Sequence, residues 1–195
     1  MHENTGRTAA RTARTGNLLG AAALTVSDRM TRAAADATGV SVSGTAALVT
    51  LLTSPGIGVT RLGTRIGLSQ PACARMLDQL QARELVTRRR EGGRLAAVEL
   101  TGPGRDAARA ALSARQRELN ALVDRLGEER RAGLTAGLEA LLDLLHDEVG
   151  SEYVLCRLCD RPACVRGGEP CPVGAAARAH ARAESDGGGT SGPDG

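Results

Sequence analysis

The chain has 195 residues, 42% of them hydrophobic and 1% aromatic, and its 25 basic residues, all arginine, leave a formal net charge of +3. That length supports one ordinary domain with an appendage and excludes two large domains. With no Phe or Trp there is no stacking platform for single-stranded nucleic acid, and no apolar run reaches the ~18 to 20 residues that span a bilayer.

In chain order, residues 1–16 are mostly Thr, Ala, Arg and Gly without a periodic apolar face, which predicts a disordered basic arm. The basic start followed by Asn17 to Leu24 has the outline of a signal peptide. Apolar positions continue past it, however, at Val26, Met30, Ala33 and Ala37, at helical spacing, so the run is read as a helix over 17–38 ended by Gly39. A second helix is predicted over 43–53 through Ala47, Leu48, Leu51 and Leu52, stopped by Ser54-Pro55-Gly56.

The next segment carries the functional signal. Val59, Leu62 and Ile66 share one face of a short helix, Gly67 supplies a left-handed turn, and Leu68 plugs the corner. Ser69 is a natural N-cap for the following helix, and Pro71 is tolerated in its first turn. That helix is predicted to bury Cys73, Met76, Leu77 and Leu80 and to show Gln70, Ala74, Arg75 and Asp78 on its other side. Two short helices about a tight turn form a helix-turn-helix, the second being the recognition helix. Two extended runs around Glu91-Gly92-Gly93 follow, a β-hairpin wing whose Arg88, Arg89, Arg90 and Arg94 concentrate positive charge at its tip. Arg75 and Gln70 have the side chains for direct readout of guanine and adenine, while Arg88, Arg89 and Arg90 suit phosphate.

Thr101 is predicted to cap a long helix with Leu112, Leu119, Leu122 and Leu126 on its apolar face. After Gly127 another helix follows with Leu134, Leu138, Leu141, Leu142, Leu145 and Val149. Helices this apolar need partners, so 17–38 and 103–153 are assigned to a dimerisation layer and 58–101 to DNA binding. The fold class is mainly α with a small β-hairpin wing.

The runs LGTRIGLSQPACARMLDQLQARELVTRR and RLAAVELTGPG resemble the multiple-antibiotic-resistance regulator (MarR) family of winged helix-turn-helix proteins, across roughly residues 17–150 and most specifically 58–104. The resemblance implies a triangular homodimer, with terminal helices at the dimer interface. It also implies a repressor on a pseudo-palindromic operator in double-stranded DNA, relieved by a small-molecule or redox effector. On this resemblance Ser69, Gln70, Ala72 and Arg75 meet the major groove, and Arg94, six residues before Leu100-Thr101, is the wing arginine. Two positions depart from the family pattern. Gly92 replaces the acidic residue two before Arg94, and Glu84 stands where glycine is common.

Of five cysteines, Cys73 reads as a small apolar core residue, and Cys156, Cys159, Cys164 and Cys171 are spaced C-x2-C-x4-C-x6-C in a Pro- and Gly-rich knuckle over 154–173. So little apolar matter cannot fold alone, and a structural metal would supply of order ~10 kcal/mol. Thiolate donors favour zinc, with an iron-sulfur cluster or a disulfide switch as alternatives. His146 and His180 are expected on the surface, and 174–195 is read as an Ala/Arg segment with a disordered Gly-rich acidic tail. Full four-thiol ligation and the lack of a Ser/His/Asp or Cys/His constellation argue against an enzyme. The reading is of a soluble, cytoplasmic regulator without a membrane partner, the alternative being a metal-stabilised protein-interaction module on a winged-helix scaffold.

Overall fold

A computed structural model describes residues 2–91 and 94–187. Among these residues there are nine α-helices, one 3-10 turn at Asp124–Leu126 and two strands, in the order α1 His2–Thr38, α2 Val42–Thr53, α3 Val59–Ile66, α4 Gln70–Ala82, β1 Val86–Glu91, β2 Arg94–Leu100, α5 Gly102–Val123, α6 Glu128–Val149, α7 Glu152–Leu155, α8 Arg161–Cys164 and α9 Pro172–Gly187. No single helix among them is long and apolar enough to cross a membrane.

Two packed layers organise the chain. The first is the core of the winged module, where Leu48 and Leu51 of α2, Leu62 of α3, and Cys73, Leu77 and Leu80 of α4 meet Val86, Val98 and Leu100 of the hairpin and Ala108 of α5. The strands are antiparallel, Val86 opposite Leu100, with a bulge between Arg89 and Arg90. Ile57 adds a third, one-residue strand that the sequence does not reveal: Gly56 N–H donates to the Val98 carbonyl (3.0 Å) and Val98 N–H to the Ile57 carbonyl (3.1 Å). This pairing ties the entry of α3 to the base of the wing.

The second layer is α1 against α5. Of the expected leucine stripe, Leu112 packs half-buried against this contact, Leu119 and Leu122 of α5 and Leu126 just beyond it are also only half-buried, and the fully buried face is Gly104, Ala108, Ala111 and Ala114. Ala111 meets Ala34 of α1 and Val49 of α2. Small side chains let the two helix axes approach closely, and Arg29 of α1 adds a 2.8 Å ion pair with Glu118 of α5.

Other expectations change at the two ends. Residues 2–16 continue α1 instead of forming an irregular arm, exposed from Arg7 onward. Nothing in Thr-Ala-Ala-Arg breaks a helix already nucleated by the packed turns behind it, and Thr12 and Thr15 donate back to the Thr8 and Arg11 carbonyls. At the other end α9 carries the Ala/Arg segment and reaches through Glu184, Ser185 and Asp186 to Gly187, further than the composition suggests. The rest of the predicted acidic tail, 188–195, lies outside the described residues.

Glu84, between α4 and β1, has φ 57°, a left-handed conformation that costs an L-residue roughly 1–2 kcal/mol. Its carbonyl accepts from Thr101 Oγ1 at 2.6 Å, which holds the turn in place. Glu84→Gly is expected to raise stability by about 0.5–1 kcal/mol, the relieved strain being partly offset by the freer unfolded chain. A denaturant titration of the variant checks this, and an unchanged or lower midpoint would contradict it.

Candidate nucleic-acid interface and cysteine cluster

The turn between α3 and α4 is built by close approach. Gly67 takes φ 74° at the C-cap of α3, and a Cβ on Gly63 would stand 2.9 Å from the Leu68 carbonyl oxygen and 3.3 Å from Cys73 Cβ. The two helices therefore cross at contact distance, and α4 is set at a fixed angle to α3. Cys73, Met76, Leu77 and Leu80 hold α4 down as the sequence predicts. Cys73 is fully buried, its thiol donates to the Val59 carbonyl at 3.5 Å, and burial pushes its titration up. It is a core side chain.

On the outer face of α4, Ser69, Gln70 and Arg75 are exposed and Ala72 is half-buried. Ser69 occupies the N-cap with extended backbone, yet its hydroxyl makes no capping bond. Gln70 and Ala74 share a concave notch with Thr60 and Arg61 of α3 and Arg88 of β1. Arg61, exposed beside Gln70, was not among the sequence candidates. The signal lay in its position on α3, facing away from the Leu62 side that is buried.

The wing arginines divide into distinct situations. Arg88, expected to contact phosphate, is turned inward: only 14% of its side chain is exposed, and its Nη2 donates to Asp78 Oδ1 (2.7 Å) and the Ala74 carbonyl (3.2 Å) of α4. Its guanidinium braces the hairpin against α4, so it positions other groups instead of offering a free charge. The reason is geometric, since Arg88 lies on the strand face that α4 covers. Arg89 points the other way, exposed and paired with Glu99 at 2.6 Å. Arg90 and Arg94 lie in the strands, opposite Leu95 and Glu91, and their side chains, with Gly92 and Gly93, fall outside the described residues.

The four knuckle cysteines come from separate short elements: Cys156 follows α7, Cys159 lies in the next turn, Cys164 ends α8, and Cys171 precedes α9. All four border one cavity of about 440 Å³, walled by Met30 of α1, Val42 and Ala46 of α2, Arg115 of α5 and Leu142 of α6. The Sγ atoms of Cys159 and Cys164 are 4.0 Å apart. Thiolates around a tetrahedral zinc stand about 3.8 Å from one another, given a Zn–S distance near 2.3 Å; this one pair matches that spacing, whereas no three of the four Sγ atoms lie within 4.8 Å of one another. Gly174 N–H, in the first turn of α9, donates to Cys171 Sγ at 3.4 Å. A hydrogen bond with Cys159 pulls the Cys156 thiol below its ordinary range, while the same bond and burial push Cys159 up. Burial raises Cys164 to about 11, against the attraction of the Arg115 guanidinium.

The knuckle also touches the winged-helix module. The Arg65 guanidinium of α3 lies 3.5 Å over the Tyr153 ring of α7, and Arg65 Nη1 donates to Ser54 Oγ at 2.7 Å. His180 is exposed as expected, but His146 is buried, 5% accessible, because α9 folds back along α6 and covers it.

Residues 40–92 match the MarR family. No curated protein sequence matches the chain. Among solved structures, the chain is similar to RV1404 of Mycobacterium tuberculosis, with 24% identity over 72% of this chain and 95% of that one and a TM-score of 0.59. It is also similar to the Mycobacterium tuberculosis MarR family protein Rv2887 solved in complex with DNA, with 22% identity, 65% and 95% coverage and a TM-score of 0.53. A third is MepR, a transcription regulator of the Staphylococcus aureus multidrug efflux pump MepA, with 21% identity, 62% and 93% coverage and a TM-score of 0.54. At these identities the likeness establishes a shared winged-helix fold.

Proposed function

From a chain that carries a MarR-family domain at residues 40–92, we propose a sequence-specific double-stranded DNA-binding transcriptional regulator, acting in the cytoplasm as a homodimeric repressor on a pseudo-palindromic operator, without catalytic activity. The observation that supports this is the outer face of α4: Ser69, Gln70 and Arg75 are exposed on a helix anchored by four buried side chains and braced to the wing through Arg88 and Asp78. A rigid helix with free polar tips is what major-groove readout needs. Gln70 and Arg75 read bases, and Arg61, Arg89, Arg90 and Arg94 contact backbone or minor groove. Rv2887, whose fold is similar, has been solved in complex with DNA, which supports this reading.

Homodimerisation is part of the same reading. Leu18, Leu19 and Leu24 of α1 and Leu134, Leu138 and Leu144 of α6 are exposed large apolar side chains, a surface that a second copy would cover. The cysteine cluster holds a structural zinc ion, and a small-molecule or redox effector acts through the cavity it borders.

Selection of bound genomic fragments with the purified protein supplies the operator. Arg75→Ala then lowers operator affinity by about 1–3 kcal/mol, roughly fivefold to 150-fold, while non-specific binding and its salt slope change little. Equal losses on specific and random DNA would remove Arg75 from base readout. No salt-dependent preference for any genomic fragment would overturn the regulator reading itself.

A further inference from the structure

Where α9 lies along α6, His146, Asp147 and His180 converge, one ligand atom from each lying within 4.8 Å of the other two. His146 is the anomaly. It is 5% exposed, its Nδ1 is enclosed with no hydrogen-bond partner, and its ring centroid is 5.1 Å from that of His180. An unpartnered buried nitrogen costs about 1–3 kcal/mol, and an apolar side chain at this position would avoid that cost. His180 Nε2 and Asp147 Oδ1 are 2.6 Å apart with their side chains 51% and 57% exposed, so the group opens to solvent on one side.

We propose that His146, Asp147 and His180 bind a divalent first-row transition ion, zinc foremost, at a site separate from the four cysteines. Two imidazoles and one carboxylate form a nitrogen and oxygen donor set suited to such an ion, and the solvent-facing side leaves a coordination position for water. The ion accepts the lone pair that His146 otherwise buries unused. Ligand atoms about 2.0–2.1 Å from a tetrahedral ion stand about 3.3 Å from each other, so the contact between Asp147 and His180 opens by less than about 1 Å, within the reach of two exposed side chains. Asp147 and His180 are 33 residues apart, and the segment between them carries all four knuckle cysteines. An ion here clamps α9 to α6 and closes that segment at its base.

Cobalt(II) is the probe. Titrated into full-length protein carrying one equivalent of zinc per chain, which the thiolates take first, it should bind one further equivalent with visible d–d absorption and no thiolate-to-cobalt charge-transfer band. His180→Ala and Asp147→Asn alter exposed side chains, and each should weaken this equivalent by more than about tenfold, since even loss of an outer hydrogen bond to a metal ligand costs about 10–100-fold. A wild-type protein that binds no such equivalent, or variants that bind it as tightly, would overturn the proposal. Titration of metal-free protein reads the cysteine cluster separately through its charge-transfer band, so failure there leaves the histidine result interpretable.

Discussion

Gly104→Ala should lower the unfolding free energy by about 3 kcal/mol or more, a large loss for one methyl group. The added Cβ would stand 1.9 Å from the Leu85 carbonyl oxygen and 2.9 Å from its carbon, and both are backbone atoms. That backbone has no room to withdraw. The Leu85 carbonyl accepts from Thr101 N–H (3.1 Å), the Thr101 hydroxyl donates to the Glu84 carbonyl, and the same hydroxyl caps α5 by accepting from Gly104 N–H at 3.0 Å. The corner between the recognition helix, the wing and α5 is thus one hydrogen-bonded unit. Gly137→Ala is the control, because that glycine is exposed on α6 with nothing within 4 Å, and the change should add up to about 1 kcal/mol of stability. Unfolding midpoints for the two variants should move in opposite directions. A Gly104→Ala protein within about 1 kcal/mol of wild type would show the corner to be softer than its hydrogen bonds imply.

What could be read from the residues alone follows from where single positions have one good solution. Gly67, Ser69 with Pro71, and the apolar set Cys73, Met76, Leu77 and Leu80 specify a turn, a helix start and a helix face, and all three are found. Glu84 shows the same local logic, since a residue standing where glycine is common does adopt a positive φ. Misreadings came where the outcome depends on what packs from far away. Alanine is neutral in a periodicity reading, so the Ala108, Ala111 and Ala114 stripe lost to the louder leucines, although close helix approach selects the small residue. Arg88 reads as one more basic tip residue, and only the covering α4 makes it a brace. Burial of His146 depends on α9 returning along α6, a contact no local pattern announces.

Stripping metal from the purified protein with a strong chelator should melt residues 154–173 and leave the winged core folded. The knuckle has little apolar surface of its own; Val173 and Ala176 are buried, but none of α7 or α8 is. If about 10 kcal/mol of ligation is removed, only the Tyr153–Arg65 stack and the packing of Leu158 against Ala34, Val49 and Ala111 remain to hold those two short helices. Four thiols should become reactive on chelation while Cys73, fully buried, stays unreactive until global unfolding. Because binding displaces thiol protons, retention of the ion should weaken as pH falls. Protein that carries no metal as purified, with thiols indifferent to chelator, would remove zinc from the reading. The same experiment separates a staple from a sensor, because the direct link from knuckle to reading module is the stacking of Tyr153 on Arg65. Tyr153 is 47% exposed, so the stack is worth about 0.5–1 kcal/mol, and Arg65 keeps its hydrogen bond to Ser54 when the ring leaves. Operator affinity should therefore fall by no more than about fivefold when the ion is lost. A drop of roughly a hundredfold in a protein that remains dimeric would exceed what that contact can transmit, and would make the cysteines a switch instead of a staple.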